Sequence, residues 1–334
     1  MTIDSNNEHL PFVEKFRPST LDEVVSHNNI INNLKNFIKI HNIPHLLFYG
    51  PPGTGKTSTI EAFVTELYGI ENVEYMTMNI NASEERGIEI VRNKIKDFVI
   101  NKPIYNSSKN SPIYKFVILD EADAMTIDAQ AMLKQVIEVY TYNARFCLIC
   151  NSIKKINSAI QSRCSIFKFA PLDFNSIKKK IKHVSNEYDL KINNDGIHTL
   201  CKISNGDMRK IMHMLQVISI SHKNITSNII SSINNYPTAK EINKIFIILN
   251  ESNLNTSFIT IKNLLIKNGY SLINIINELV DIIIQKLIKN KIDKYKSIFI
   301  LSKLRNVNIN ILDTGSSDIQ IYNIISIFIL SRSI

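Results

Sequence analysis

Two kinds of apolar spacing divide this chain. From Leu46 to Phe169, short continuous apolar runs alternate with stretches of helical periodicity, which predicts a parallel sheet flanked by helices. Strands are expected near 45–49, 74–80, 114–119, 144–150 and 165–169, and helices near 56–68, 87–100 and 128–140. The stretch from Asn101 to Pro112, rich in Pro, Ser and Asn, reads as a loop. After Pro171 no further strand pattern appears, and segments near 174–188, 194–204 and 207–221 read as a small helical unit. A break at Asn234-Asn-Tyr-Pro237 opens a last third whose apolar spacing is helical throughout, as at Ile242, Ile245, Phe246 and Leu249, with a Gly-Ser interruption at 315–317. The expected architecture is an α/β domain over 1–170, a helical lid over 171–235 and an all-helical domain over 236–334.

Composition bounds this picture without sharpening it. A chain of 334 residues with 44% hydrophobic content can bury two or three cores. Its net charge of +9 suggests an anionic partner such as nucleic acid, although a basic balance also serves solubility and nonspecific attraction. Four cysteines are too few for a disulfide scaffold and suit a reducing compartment. Cys147 and Cys150 form a C-x-x-C, but they sit inside the apolar run Arg145 to Cys150 and lack a second ligand pair, which favours a buried strand over zinc. Residues 1–10 lack a secretory pattern, and no window reads as a membrane helix, so no membrane partner is expected.

Chemistry enters between Gly50 and Thr57, where the chain reads GPPGTGKT between an apolar run and a helix-compatible stretch. This is a G-x-x-x-x-G-K-[ST] phosphate loop in the context that makes it a nucleotide site. Gly50, Gly53 and Gly55, with Pro51, Pro52 and Thr54 between them, allow a tight turn whose N–H groups point at phosphates. Lys56 adds a compact positive charge, Thr57 offers a hydroxyl to Mg²⁺, and Ser58 continues the loop. The second element is Phe116-Val-Ile-Leu-Asp-Glu121, an apolar strand ending in two carboxylates. Asp120 is placed to hold the Mg²⁺ shell and Glu121 to orient and deprotonate an attacking water. Asp123 could instead cap the next helix.

With these strings in view the chain resembles the small subunits of replication factor C, clamp-loader AAA+ ATPases. The matching strings are Pro-Phe-Val-Glu-Lys-Phe-Arg-Pro at 11–18, GPPGTGKTS at 50–58, Asn-Ala-Ser-Glu-Glu-Arg-Gly at 81–87 and Asp-Glu-Ala-Asp-Ala-Met at 120–125. Arg-Phe-Cys-Leu-Ile-Cys-Asn at 145–151, Ser-Arg-Cys at 162–164 and Gly-Asp-Met-Arg at 206–209 continue the match. The resemblance implies an AAA+ P-loop NTPase domain, a lid and a C-terminal oligomerisation collar. It implies ATP and Mg²⁺ as cofactors and a heteropentamer with other replication factor C subunits. It further implies a sliding clamp opened and loaded on primer-template DNA in replication and repair, and a nuclear location.

The resemblance also implies residue roles, each beside a plainer reading. Asn151 corresponds to sensor 1, where its amide can meet the γ-phosphate or lytic water; alone it is a turn residue. Arg209 corresponds to sensor 2, and alone would be a surface arginine. Arg163 would be an arginine finger acting on ATP held by a neighbouring subunit, although isolated arginines usually face solvent. Val13, Arg17 and Val25 match a segment that packs against adenine and the phosphates. Arg86, Arg92 and Lys96 could track DNA phosphates or form a solvated basic face, with Arg86 favoured by its family position. Lys178 to Lys180 reads as a solvated face. Met132-Leu-Lys-Gln135 departs from the family's Ala-Leu-Arg-Arg, which loses one charge and the forked geometry of both arginines, while Gln130 keeps its place. A nucleotide-binding structural or regulatory subunit with little turnover is the alternative function. A related branch-migration motor is a third reading, but it would carry a DNA-binding module where this chain has helical packing.

Overall fold

A computed structural model of the chain describes residues 10–100, 114–313 and 317–333. The expected loop at 101–112 and most of the interruption at 315–317 lie outside the described residues. The chain divides into two compact units, one comprising 1–191 with 200–223 and the other 192–199 with 224–334.

The first unit is built on five strands: β1 (His45–Tyr49), β2 (Thr77–Asn81), β3 (Lys115–Asp120), β4 (Ala144–Cys150) and β5 (Cys164–Lys168). They form one parallel sheet in the order β2-β3-β4-β1-β5. The three central strands are almost wholly buried, which is why they read as unbroken apolar runs, while β2 and β5 at the edges are only partly covered. Period-2 alternation sends Leu47, Val117, Leu119, Phe146 and Leu148 into one core, and Leu46, Phe48, Phe116, Ile118 and Ile149 into the other. Cys147 and Cys150 are an odd number of residues apart and therefore enter opposite cores, so the C-x-x-C is strand and not a ligand pair.

Two expectations change here. Val73–Met76 is a short helix and β2 begins only at Thr77, which pairs with Phe116; Tyr75, within the expected strand, is helical and 77% exposed. The helix expected over 87–100 is continuous in course but contains a π-helical turn at Val91–Ile95. Val91, Ile95 and Val99 are all fully buried at four-residue spacing. A regular α-helix carries such a row round by about 40° per step, and the wider π turn reduces that drift. The helix Asn28–Ile40 was not anticipated, and two strands of two residues each, Lys191–Ile192 and Asn224–Ile225, were too short to show a period. Phe174–Glu187 and Met208–Ser221 form helices as expected, each capped by an aspartate, Asp173 and Asp207.

The second unit contains the helices Ala239–Glu251, Leu254–Asn268, Leu272–Ile288, Lys294–Asp313 and Ser317–Leu330 around a core of Ile, Leu and Phe side chains. Glu241 Oε2 accepts from Thr238 N at 2.9 Å, closing the first helix's N-terminus, and its Oε1 accepts from the Tyr270 hydroxyl at 2.8 Å. Arg332 ties the last turn back by donating to Leu249 O at 2.9 Å and Ser252 O at 2.7 Å. Among the described residues no helix is long and apolar enough to cross a membrane.

Candidate nucleotide site

Strand order assembles the site. Because β4 lies between β3 and β1, the residues following their carboxyl ends stand side by side: the phosphate loop after Tyr49, Glu121 after Asp120, and Asn151 after Cys150. The loop requires glycine where the sheet and lid crowd it. Gly50 has φ +153°, and a Cβ there would meet Phe169 O at 2.1 Å; Gly53 has φ +67°, and its Cβ would meet Asp207 Oδ1 at 1.7 Å. Met208 N donates to Gly53 O at 3.1 Å, so the start of the helix Met208–Ser221 is hydrogen-bonded directly to the loop.

Lys56 opens the helix Lys56–Tyr68 and is 8% exposed. Its Nζ donates to Gly50 O and Pro51 O, both at 2.8 Å, and to Asn151 Oδ1 at 3.2 Å. Burial pushes its ammonium down, with Asp120 opposing that shift. A buried cation held mainly by neutral oxygens gains strongly from an anion, which is how the site fits a phosphate. Thr57 Oγ1 donates to Asp120 Oδ2 at 2.8 Å, bringing together the hydroxyl and carboxylate that suit a hard, oxygen-seeking cation such as Mg²⁺. Asp120 Oδ1 accepts from Glu121 N at 2.8 Å, and Glu121 itself adopts φ +51°, a left-handed conformation costly for a non-glycine residue. Asp123 Oδ1 accepts from Asn151 N at 3.5 Å; the next helix is capped by Thr126 rather than Asp123.

Around these groups runs a cavity within the first unit. Pro52 to Ser58, Asp120, Glu121 and Asn151 line one part, and Val13, Phe16, Val24, Val25, Met208 and Met212 supply an apolar wall. Polar groups at one end and apolar ones elsewhere match a ligand with a charged tail and a flat ring. Arg17 and Arg209 also line the cavity; Gly50 and Pro51 do not, but their carbonyls hold the Lys56 ammonium. Arg17 faces Glu61 and Glu14, whereas Arg209 is exposed on the first turn of its helix.

Other predicted residues stand elsewhere. Arg163 does not line this cavity; it is paired with Glu138 and donates to Ala159 O at 2.7 Å. Lys134, where the family carries arginine, approaches the same Glu138 oxygen at 3.8 Å. Gln130 is buried and bridges backbone, accepting from Asn157 N at 2.8 Å and donating to Lys155 O at 3.1 Å. Arg86, Arg92 and Lys96 are all exposed, with Arg86 Nε donating to Ser83 O at 2.7 Å. Arg92 and Lys96 remain on the solvent side because the π turn keeps Val91 and Ile95 inward.

Sequence reasoning missed part of the wall. Lys180, from the run read as a solvated face, lines the cavity, and burial pushes its ammonium down with Glu23 opposing. Its offset of three from the buried Ile177 was the available signal, since such a pair shares a helix face. Val24, Ser26, Leu172 and Met212 had no motif to mark them, and Phe16, Pro18 and Met208 stood in matched strings without an assigned role.

The family model described as "ATPase family associated with various cellular activities (AAA)" matches residues 46–172, and that of the "Replication factor C C-terminal domain" matches 237–326. The probable replication factor C subunit 5 of Caenorhabditis elegans is 43% identical over 279 residues, 82% of this chain and 76% of the relative. Replication factor C subunit 3 of Saccharomyces cerevisiae is 38% identical over 324 residues, 96% of this chain and 93% of the relative. Among solved structures, the Thermotoga maritima RuvB Holliday junction branch migration motor aligns with TM-score 0.51 over 78% of this chain and 86% of its own, at 17% identity, a likeness of fold alone. An AAA domain bearing this phosphate-loop cavity, a matching C-terminal domain and relatives similar along nearly the whole chain show that it belongs to the replication factor C subunits, the AAA ATPases of the clamp loader.

Proposed function

We propose that this chain binds ATP with Mg²⁺ in the cavity at the strand ends and hydrolyses it within a heteropentamer of replication factor C subunits. In that assembly it helps open a sliding clamp and load it on primer-template DNA, in the nucleus. The proposed domains are 1–170 for nucleotide, 171–235 as lid and 236–334 as collar. The observation that carries the reading is the convergence of Lys56, the Thr57–Asp120 pair, Glu121 and Asn151 at three adjacent strand ends.

In this reading Lys56 and the loop N–H groups hold the phosphates, and Thr57 and Asp120 hold the metal. Mg²⁺, when bound, supplies charge neutralisation on the phosphate oxygens. Glu121 accepts the proton of the attacking water at its carboxylate, and Asn151 orients that water from the neighbouring strand. Arg209, carried by a helix bonded to Gly53, reports lid position to the site. Arg163, outside this cavity, serves the ATP of a neighbouring subunit, so hydrolysis there depends on a closed interface. Arg86, Arg92 and Lys96 meet DNA phosphates without reading sequence.

The test is the reconstituted complex carrying Lys56→Ala or Glu121→Gln. The expected result is loss of this site's turnover by about a hundredfold or more, with impaired clamp loading. Unchanged ATP turnover and loading in both variants overturns the reading.

A further inference from the structure

The N-terminal segment spans two parts of the nucleotide unit. Toward the helices Phe174–Glu187 and Met208–Ser221 it makes several contacts: Phe12 N donates to Gln216 Oε1 at 3.2 Å, and Lys15 Nζ meets Glu187 Oε1 at 2.7 Å and the Tyr188 hydroxyl at 3.0 Å. The Phe12 and Tyr188 rings lie 4.4 Å apart. Toward the phosphate-loop helix it reaches with an ion pair. Arg17 Nη1 donates to both oxygens of Glu61, at 2.9 and 2.7 Å, and Glu61 lies in the helix that Lys56 opens.

The rest of the Arg17 fork is also committed. Its Nε and Nη2 face Glu14 at 3.2 and 3.3 Å, so every guanidinium nitrogen has a carboxylate beside it. Two carboxylates compensate one cation, which leaves little charge to offer a phosphate. Glu61 is half-buried, and burial pushes its carboxyl up while Arg17 draws it back. A half-buried carboxylate on the phosphate-loop helix, matched by two hydrogen bonds from one arginine, is a more specific contact than a fully solvated surface pair.

We propose that Glu61 is a positioning residue for the nucleotide: through Arg17 it clamps the N-terminal segment to the phosphate-loop helix, so that Val13 and Phe16 stay in the cavity wall. Arg17 then serves the site through this clamp rather than as a phosphate ligand. The inference rests on the cavity being the ATP site, and it names a contact within that site.

Titration of the full-length chain with fluorescent ADP and ATP analogues tests it, using Glu61→Gln, Arg17→Gln, the double variant and Lys56→Ala. Each single clamp variant is expected to weaken both nucleotides about five- to tenfold, with the double variant no worse than the worse single one, as for two residues acting as a unit. The ratio of ADP to ATP affinity stays that of the parent. Arg17→Lys, which keeps charge and loses the fork, stays weak. Three results overturn the proposal: parental binding by Glu61→Gln, multiplying effects in the double variant, or an Arg17→Gln loss larger for ATP than for ADP, the mark of a direct phosphate contact. Lys56→Ala separates the levels. If it binds as the parent does, the cavity reading fails and the clamp with it; if it loses binding while Glu61→Gln does not, only the clamp fails.

Discussion

The two units bury different kinds of polar group. The helical unit packs Leu279, Ile283, Leu304, Ile325 and Phe328 among similar neighbours; it also buries Glu278, whose Oε1 accepts from the Tyr236 hydroxyl at 2.6 Å, and Gln320, while other polar contacts, such as Glu241 to Thr238 and Arg332 to Leu249, close helix ends. The nucleotide unit buries a lysine, Lys56, a histidine, His45, and two threonines, Thr54 and Thr59, at or beside its sheet. Apolar packing constrains volume, whereas a buried polar group constrains direction and partner. The difference teaches that the apolar core of the helical unit tolerates exchange among hydrophobes of equal volume, while the nucleotide unit is sensitive to single atoms and to pH around its phosphate loop and sheet.

The largest expected effect probes volume in the helical unit. Leu279→Ala, at a fully buried position, costs about 3 kcal/mol in urea unfolding, whereas Leu279→Met costs less than about 1.5 kcal/mol. Equal losses would mean that direction matters there as well, and the contrast between units would fail.

A comparable effect, confined to acid pH, belongs to the sheet. His45 Nδ1 accepts from Phe146 N at 3.2 Å, and burial, with Arg145 adding to it, pushes the imidazole down to about 4. A lowered value means that the folded form disfavours the proton. The stability His45 contributes is therefore complete above pH 6.5 and is lost as pH falls toward 4, by up to about 3 kcal/mol. Denaturation curves across that window should flatten in His45→Gln; an unchanged slope assigns the pH dependence elsewhere.

The smallest effect sharpens the contrast between two glycines of similar φ. Gly53→Ala drives a methyl into Asp207 and is expected to cost about 2 kcal/mol and weaken nucleotide binding. Gly269→Ala, at φ +64° after the helix Leu254–Asn268, meets Asn235 Nδ2 at 3.3 Å, a side chain that can shift, and should cost about 1 kcal/mol. Thermal unfolding of both variants decides the order.

Much of this was legible along the chain. Central strands such as His45–Tyr49 and Ala144–Cys150 appear at their expected bounds because burial on both faces leaves an unbroken apolar run. The phosphate loop and the Asp120–Glu121 pair were legible because their chemistry needs fixed residue types at fixed spacing. Other features were not. The π turn at Val91–Ile95 hides inside a helical pattern, since both windings bury residues four apart. Lys180 looked like one of three solvated lysines, and only its neighbours made it part of a cavity.

Local spacing sufficed for the strands, the helices and the phosphate loop, because each depends on residues near one another in the chain. Relations between distant residues needed the folded chain. Nothing in the string at 11–18 announces that Arg17 meets Glu61, 44 positions on, or that Gly53 must be bare because Asp207 lies against it. Strand order, β4 between β3 and β1, likewise brought Asn151 to Lys56. Such pairings are set by how layers pack and which loops they bring together, and no periodicity in the sequence encodes that geometry.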